Sequence, residues 1–292
     1  MDLPLLKGRL ERDYPLSKLN TWKIGGRGEI VFWPATKEDL VTMVEWCRKK
    51  ELPFLLLGRG SNVLLPDDVL RGITIVTTDL KKITWEEETV TCEAGYSLMR
   101  LAREAAERSL SGLEFASGIP GTVGAAVAIN AGAFGGEIGR LVKNVLALTL
   151  EGEVLNLSAP ELSFEYRKSS LLEKNYLVLE TTLKLTRGEK SVIKKNMEDF
   201  KVRRKAAQPW EYPNAGSVFR NPQGDSAGRL IELAGWKGRQ IGDAQVSEEH
   251  ANFIVNKGKA KASDVRKLIV AIQEDVKAKF NIELETEVRI IC

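Results

Sequence analysis

The sequence predicts an α+β fold. Strand-like and helix-like segments follow one another without the regular alternation of a doubly wound sheet, and glycine gathers in one internal stretch. A hydrophobic fraction of 43% with 28% charged residues is the balance of a globular chain with ample apolar material for a core. The first helix is expected after Thr36, where the cap-like pair Thr36 and Asp39 precedes Leu40, Val44 and Cys47 on one face. Leu52 to Leu57 and Ile73 to Thr77 read as strands, and residues 82–94 as a hairpin. A second helix follows Ser97, carried by Leu98, Leu101, Ala102 and Ala105. Residues 112–139 hold eight of the chain's 25 glycines and only two charged residues, Glu114 and Glu137, so backbone groups dominate that stretch. Strands are expected again at Val145 to Leu150, Val154 to Leu157 and Tyr176 to Leu185. A basic helix from Val192 to Lys205 ends near Gln208-Pro209. Ala227, Leu230, Ile231 and Ala234 give a short helix. Val265, Leu268, Ile269, Ile272 and Val276 give a longer one, with Ser263 as its expected N-cap. In the closing strand Ile282, Leu284, Val288 and Ile290 face one way, and Glu283, Glu285, Glu287 and Arg289 the other.

The length of 292 residues suits two domains. The expected division is 1–190, with room for two subdomains split near residue 80, and 191–292. Lys and Arg number 43 against 40 Asp and Glu, and a net charge of +3 gives no global attraction to nucleic acid. No apolar run reaches the length of a membrane span, and residues Met1 to Asp13 lack the apolar core of a signal peptide. A cytoplasmic chain without a membrane partner is expected. Cys47, Cys92 and Cys292 are too scattered for a zinc site or a disulfide framework, and read as reduced, mostly buried thiols. The single histidine, His250, excludes a His-rich metal site; no metal is expected, and His250 reads as structural.

No G-x-G-x-x-G or G-x-x-x-x-G-K-[ST] string is present, so the usual dinucleotide and triphosphate cradles are absent. Two other glycine loops are. One is Gly58-Arg59-Gly60-Ser61-Asn62-Val63, directly after an apolar strand; the other runs from Ser117 to Gly124, followed by Asn130 and Gly132. Glycine lets backbone N–H groups turn toward an anion without side-chain cations, which suits phosphate. The same residues also suit tight turns and close backbone packing, and composition leaves both readings open.

The strings NTWKIGG (20–26), LGRGSNVL (57–64), GIPGTVGAAVAINAGAFGGEI (118–138), YRKSS (166–170), NAGSVFRNP (214–222) and IGDAQVSEEHANFIVN (241–256) run in this order along the chain. Together they resemble the signatures of the UDP-N-acetylenolpyruvoylglucosamine reductase family, the MurB-type flavoenzymes of bacterial peptidoglycan synthesis. The resemblance covers nearly the whole chain. Its glycine loops are shared more loosely with the vanillyl-alcohol-oxidase (PCMH-type) class of FAD proteins. It implies an FAD-binding α+β domain followed by a smaller α+β substrate-binding domain, with the active site in the cleft between them.

By that resemblance FAD is held without a covalent bond. Gly58, Arg59, Gly60, Ser61, Asn62 and Val63 of the first loop embrace its pyrophosphate. Ser117, Gly118, Ile119, Gly121, Thr122 and Gly124 of the second do the same, with Asn130 and Gly132 nearby. NADPH supplies hydride, and UDP-N-acetylglucosamine enolpyruvate is reduced to UDP-N-acetylmuramate. Arg167 and Glu287 are implied beside the substrate carboxylate and Ser217 as the proton donor. Glu287 is either protonated there or orients Arg167. Tyr166, Gln208, Arg220, Asn221 and Gln245 match positions used around substrate. Many members read Leu-Glu-Pro-Glu-Val where this chain has Leu284-Glu285-Thr286-Glu287-Val288, so the assignment of Glu287 rests on the flanking Leu, Glu and Val. The interval from Arg167 to Ser217 is filled by one strand and one helix. It lacks the extra loop whose tyrosine closes over the diphosphate in one subclass, so the chain resembles the shorter, second subclass. A monomer is expected. Two rivals remain: an FAD oxidase of the same fold, and a nucleotide-sugar binding protein without catalysis.

Overall fold

The computed structural model describes residues 3–291, and these divide into two compact units. The first comprises the chain up to Arg12, Ile30–Arg59 and Gly72–Arg203; the second comprises Asp13–Glu29, Gly60–Arg71 and the chain from Arg204 onward. The division therefore differs from the expected cut after residue 190 in two respects. The helix Lys190–Ala207 belongs for most of its length to the first unit. Its buried Ile193 and the stack of Phe200 on Phe134 (ring centroids 4.5 Å apart) hold it there, with Lys190 and Lys194 paired to Glu107. Two early segments, moreover, are built into the second unit.

The first unit is built on two larger sheets, beside two short ladders that pair Gly132–Ala133 with Gly136–Glu137 and Leu110–Ser111 with Thr186–Arg187. Strands Arg9–Pro15, Arg27–Trp33, Leu70–Val76 and Phe54–Leu57 form a four-stranded sheet in that order. The last pair is parallel, from Phe54 opposite Ile73 to Leu57 opposite Val76. A parallel pair needs a crossover. The helix Lys37–Lys49 precedes it, its N-terminus capped by Thr36 Oγ1, which accepts from Asp39 N at 3.2 Å. Ile30, Phe32, Leu40, Met43, Val44, Ile73 and Ile75 close this core.

The second sheet is antiparallel, in the order Val154–Ser158, Val142–Leu148, Leu177–Lys184, Thr89–Glu93, Ile83–Glu86. The helices Leu98–Glu107 and Val123–Ala128 supply much of its apolar cover, burying Leu98, Leu101, Ala102, Ala105, Val123 and Val127. Burial pushes the Cys92 thiol up to about 12 and the Cys47 thiol to about 11, so both stay protonated and inert as nucleophiles. Both are free; Cys292 lies outside the described residues.

The second unit has a three-stranded antiparallel sheet, Gln240–Ile241, Ala244–Val246 and Ile254–Asn256, which the hydrophobic pattern does not announce. It packs with the helices Ala227–Leu233 and Ala262–Phe280 around Leu230, Ile231, Val265, Leu268, Ile269 and Ile272. Trp22, fully buried, joins this core from far upstream. Its Nε1–H donates to the Ile254 carbonyl at 2.8 Å, and Asn256 Nδ2 donates to the Trp22 carbonyl at 3.0 Å.

Two expectations are corrected here. Ser263 is not the N-cap of the long helix, which begins one residue earlier at Ala262. The carboxylate of Asp67 takes up its first amides instead, accepting from Ala262 N at 2.6 Å and Ser263 N at 2.9 Å. The expected closing strand is also mostly irregular backbone. Leu284 and Val288 are buried as its alternation requires. Regular pairing is confined to Arg289–Ile290, parallel to Val63–Leu64, and a single bridge joins Thr286 to Phe219.

Replacing a carboxylate cap by alanine typically costs ~1 kcal/mol. Asp67→Ala is expected to destabilise the protein by about that amount in equilibrium urea unfolding, while Ser263→Ala leaves the midpoint nearly unchanged; the reverse order would return the cap to Ser263.

Candidate active site

In the first unit the start of the first glycine loop, Gly58, meets the second loop. A Cβ placed on Gly58 would lie 2.4 Å from Thr122 Oγ1, so only glycine permits this approach. Gly124 is equally constrained: a Cβ there would fall 2.6 Å from that of Ala94, whose carbonyl accepts from Gly124 N at 2.9 Å. Thr122 starts the helix Val123–Ala128 by accepting from Ala125 N at 3.4 Å, and the Gly121 carbonyl accepts from Leu98 N at 3.1 Å. Ser117 and Ile119 tie the loop to its preceding turn, Ser117 Oγ through the Glu114 carbonyl at 2.8 Å and Ile119 N through that of Ala116 at 3.1 Å. Gly118 lies between them, half-buried. Among the described residues no backbone carbonyl takes up the amide N–H groups of Arg59, Gly60, Ser61 and Asn62.

The segment after the second loop carries Arg167. Asn130, buried and at φ +45°, accepts from Gly139 N at 2.9 Å and donates to the Glu165 carbonyl at 2.8 Å. Its amide is thus committed to the protein. Two residues beyond Glu165, Arg167 Nη2 donates to the Gly132 carbonyl at 3.0 Å. Arg167 has a φ of +56°, a left-handed conformation uncommon for a long side chain. Its guanidinium lies 5.2 Å from the ring centroid of Tyr166, which is exposed.

Ser217, Glu287 and Asn62 come together in the second unit. The Asn214 side chain shapes the turn before Ser217, accepting from Gly216 N at 3.0 Å and donating to the Pro209 carbonyl at 2.9 Å; Gly216 takes φ +78°. Glu287 N then donates to the Val218 carbonyl at 2.8 Å, and Arg220 N to that of Glu285 at 2.9 Å. On the other side of Glu287, Asn62 Nδ2 donates to its carbonyl at 3.1 Å. Gly60 sits in the same turn at φ +62°, where a Cβ would lie 2.1 Å from the Leu19 carbonyl oxygen. Val63 continues into the short parallel pairing with Arg289. Ser217 and Glu287 are both half-buried, so Glu287 does not lie on a fully solvated face.

The residues expected around substrate are placed less uniformly. Arg220 is half-buried, its Nη1 3.6 Å from Glu285 Oε2 and its Nε buried without a partner. The Asn221 side chain accepts from Ala227 N at 3.1 Å and Gln245 Nε2 donates to the Gly238 carbonyl at 3.1 Å, so both already serve local structure. Gln208 Oε1 accepts from Arg204 Nε at 2.8 Å. Arg204 is a residue that the motif reading missed. Its Nη1 is buried with no partner, and burial pushes its pKa below the ordinary arginine value. The signal was its position four residues before Gln208 on a basic helix, which looks solvated in sequence. Among the described residues no group of three His, Cys, Asp or Glu side chains is arranged to hold a metal ion.

Residues 28–158 match the FAD binding domain family, and residues 208–291 match the C-terminal domain of UDP-N-acetylenolpyruvoylglucosamine reductase. A protein of that name from Clostridium novyi is 41% identical over 285 residues, covering 98% of this chain and 93% of the relative. One from Caldanaerobacter subterraneus subsp. tengcongensis is 42% identical over 287 residues, covering 98% and 95%. The crystal structure of the MurB reductase from Thermus caldophilus aligns with a TM-score of 0.84 at 36% identity, over 98% of this chain and 100% of that one. The loops described above suit a dinucleotide: close-packed glycines without Cβ atoms, and a run of uncommitted amides able to face an anion.

Asn130→Ala leaves the Gly139 N–H and Glu165 carbonyl without their partner and places alanine at positive φ. At ~1–3 kcal/mol for each unsatisfied buried group, the variant is expected to lose more than about 2 kcal/mol of stability, read by calorimetry. An unchanged melting temperature would mean that the amide does not hold the Glu165–Arg167 turn.

Proposed function

The chain belongs to the UDP-N-acetylenolpyruvoylglucosamine reductase family, and on that premise we propose that Arg167, Ser217 and Glu287 carry its substrate chemistry. It is an FAD-dependent oxidoreductase that reduces UDP-N-acetylglucosamine enolpyruvate to UDP-N-acetylmuramate with NADPH, in the synthesis of peptidoglycan precursors. The observation that carries the assignment of roles is the hydrogen bond from Glu287 N to the Val218 carbonyl, which sets the glutamate beside the Ser217 turn.

The two glycine loops, Gly58 to Val63 and Ser117 to Gly124, are the proposed holders of FAD. When bound, FAD supplies the relay of hydride from NADPH to carbon 3 of the enolpyruvyl group. The work of this chain's residues follows from where the charge then lies. Hydride at carbon 3 leaves negative charge at carbon 2, delocalised into the adjoining carboxylate. Arg167 is proposed to hold that carboxylate, because a planar guanidinium pairs it with two parallel N–H groups. Ser217 Oγ–H is proposed to protonate carbon 2. A hydroxyl is a weak acid, but a carbanion is a far stronger base than water, and the serine regains its proton from solvent. Glu287 either carries a proton beside the carboxylate or orients Arg167.

Arg220 and Arg204, each with a buried guanidinium N–H awaiting an acceptor, are proposed for the diphosphate, with Gln208 alongside. Tyr166, Asn221 and Gln245 are proposed around the rest of the substrate. A flavin-binding role is proposed chiefly for the first unit and a substrate-binding role chiefly for the second, which residues 13–29 and 60–71 also enter. The proposed setting is a cytoplasmic monomer without nucleic-acid or membrane partners; the near-balanced charge supports only the lack of a global attraction to nucleic acid. Among the described residues no helix is long and apolar enough to cross a membrane.

The deciding experiment is an anaerobic two-step spectrum. NADPH should bleach the flavin, and UDP-N-acetylglucosamine enolpyruvate should restore the oxidised spectrum. Bleaching without recovery discards this substrate, and reoxidation by oxygen at catalytic rate without use of NADPH indicates an oxidase. In Ser217→Ala, flavin reduction is expected to survive while reoxidation by substrate falls at least ~10²-fold. Equal loss in both steps would remove the proton-donor role. Gly60→Val is expected to purify with depleted flavin, measured by the ratio of visible to ultraviolet absorbance. Full occupancy would displace the cradle from this loop.

A further inference from the structure

Ser217 lies on backbone that no regular strand supports: Ala215 to Arg220 has neither helical nor ladder structure beyond the single Phe219–Thr286 bridge. Its support comes instead from the segment Ser247 to Asn256. Asn252, 3% exposed, brackets Phe219 on both of its backbone groups. Its Oδ1 accepts from Phe219 N at 2.9 Å and its Nδ2 donates to the Phe219 carbonyl at 2.8 Å, while its own carbonyl accepts from Val218 N at 2.8 Å. One side chain thus takes the place of a strand neighbour. The opposite edge of the same two residues is held by the Val218 carbonyl, which accepts from Glu287 N at 2.8 Å. Asn252 is fixed in turn by His250, whose Nδ1 accepts from Asn252 N at 3.2 Å and whose ring packs against Phe253. Accepting at Nδ1 requires the neutral imidazole. Burial favours that form and pushes the His250 pKa below its ordinary value, opposed by a backbone hydrogen bond at His250; Lys237 adds to the lowering and Glu232 opposes it.

We infer that Asn252 is a positioning residue of the substrate half-reaction, holding the Val218–Phe219 backbone so that Ser217 and Glu287 keep a fixed separation. The inference rests on the roles proposed above for Ser217 and Glu287. No other natural side chain of this length is neutral and presents a donor and an acceptor in one plane. Aspartate is isosteric and can do so only when protonated.

The test uses the flavin-loaded protein with Asn252→Ala and Asn252→Asp. In Asn252→Ala, flavin content and reduction by NADPH are expected to match the unsubstituted protein. Reoxidation at saturating substrate should fall about 10-fold or more, with little change in KM, since a misplacement of an ångström in a reacting group is worth up to ~10²-fold. Asn252→Asp should show a similar loss near pH ~8 and regain activity as the pH is lowered toward ~6, because the introduced buried carboxyl must bind a proton to donate to the Phe219 carbonyl. Asn252→Ala should not show this recovery.

Amide hydrogen exchange gives a readout independent of turnover: protection should be lost at Val218, Phe219 and Glu287 and kept at Val255. Equal loss in both half-reactions, a pH profile shared by the two variants, or unchanged exchange at Val218 and Phe219 would overturn the inference. Failure of both variants to fold would assign Asn252 to stability alone and overturn it as well. If the unsubstituted protein is not reoxidised by substrate, the functional reading fails separately, and the exchange result still decides whether Asn252 holds this backbone.

Discussion

The second unit depends on hydrogen bonds between residues made at opposite ends of the chain. The Trp22 indole donates to the Ile254 carbonyl across 232 positions, and Asn256 returns a bond to the Trp22 carbonyl. Asp67 caps a helix that begins nearly two hundred residues later. Val63–Leu64 supplies the strand on which Arg289–Ile290 closes. Without these residues the C-terminal helices and short strands lose one wall of their core, because Trp22, Ile24 and Leu64 are members of it. Buried indole N–H groups and helix-end amides also need partners, and here the partners are remote.

This arrangement bears directly on Glu287. Its backbone is held through Val218 on one side and Asn62 on the other. Asn62 stands in the first glycine loop, two residues after Gly60, which has no room for a Cβ beside the Leu19 carbonyl. Asn62 thus ties the glycine loop to the segment of Glu287, through its side chain at Glu287 and its carbonyl at Arg289 N. Preorganisation of this kind matters where a proton must be delivered along one direction, because fixed groups need not rearrange as charge develops. Arg167 follows the same logic: its left-handed backbone is tolerated because Asn130 and Gly132 hold the residues around it.

What the sequence revealed was what is local. Helices at Thr36 and Ser97 were legible because their caps and apolar faces lie within one or two turns. The glycine loops were legible as loops, though only the motif resemblance gave them a ligand. The cap at Ser263 was misplaced because its competitor, Asp67, carries no sequence mark of pairing with residue 262. The strands at Arg9, Arg27 and Gln240 passed unnoticed since they are short or mix polar and apolar residues without a clean period. Glu287 looked like one of four charges on a solvated face, whereas the alternation persists in burial but not in strand pairing. Arg204 had the same disguise on a basic helix. Asn252 is harder still: a buried asparagine that replaces strand backbone has no periodicity at all.

The thread from Trp22 to Ile254 also sets an order on synthesis. At ~5–20 residues per second, the indole leaves the ribosome on the order of ten to fifty seconds before its acceptor carbonyl exists. Throughout that interval Trp22, Ile24 and Leu64 have no finished core to enter, although the hairpins and helices made between them can already pair. The nascent chain therefore carries an unshielded apolar segment until the residues around Ile254 are made.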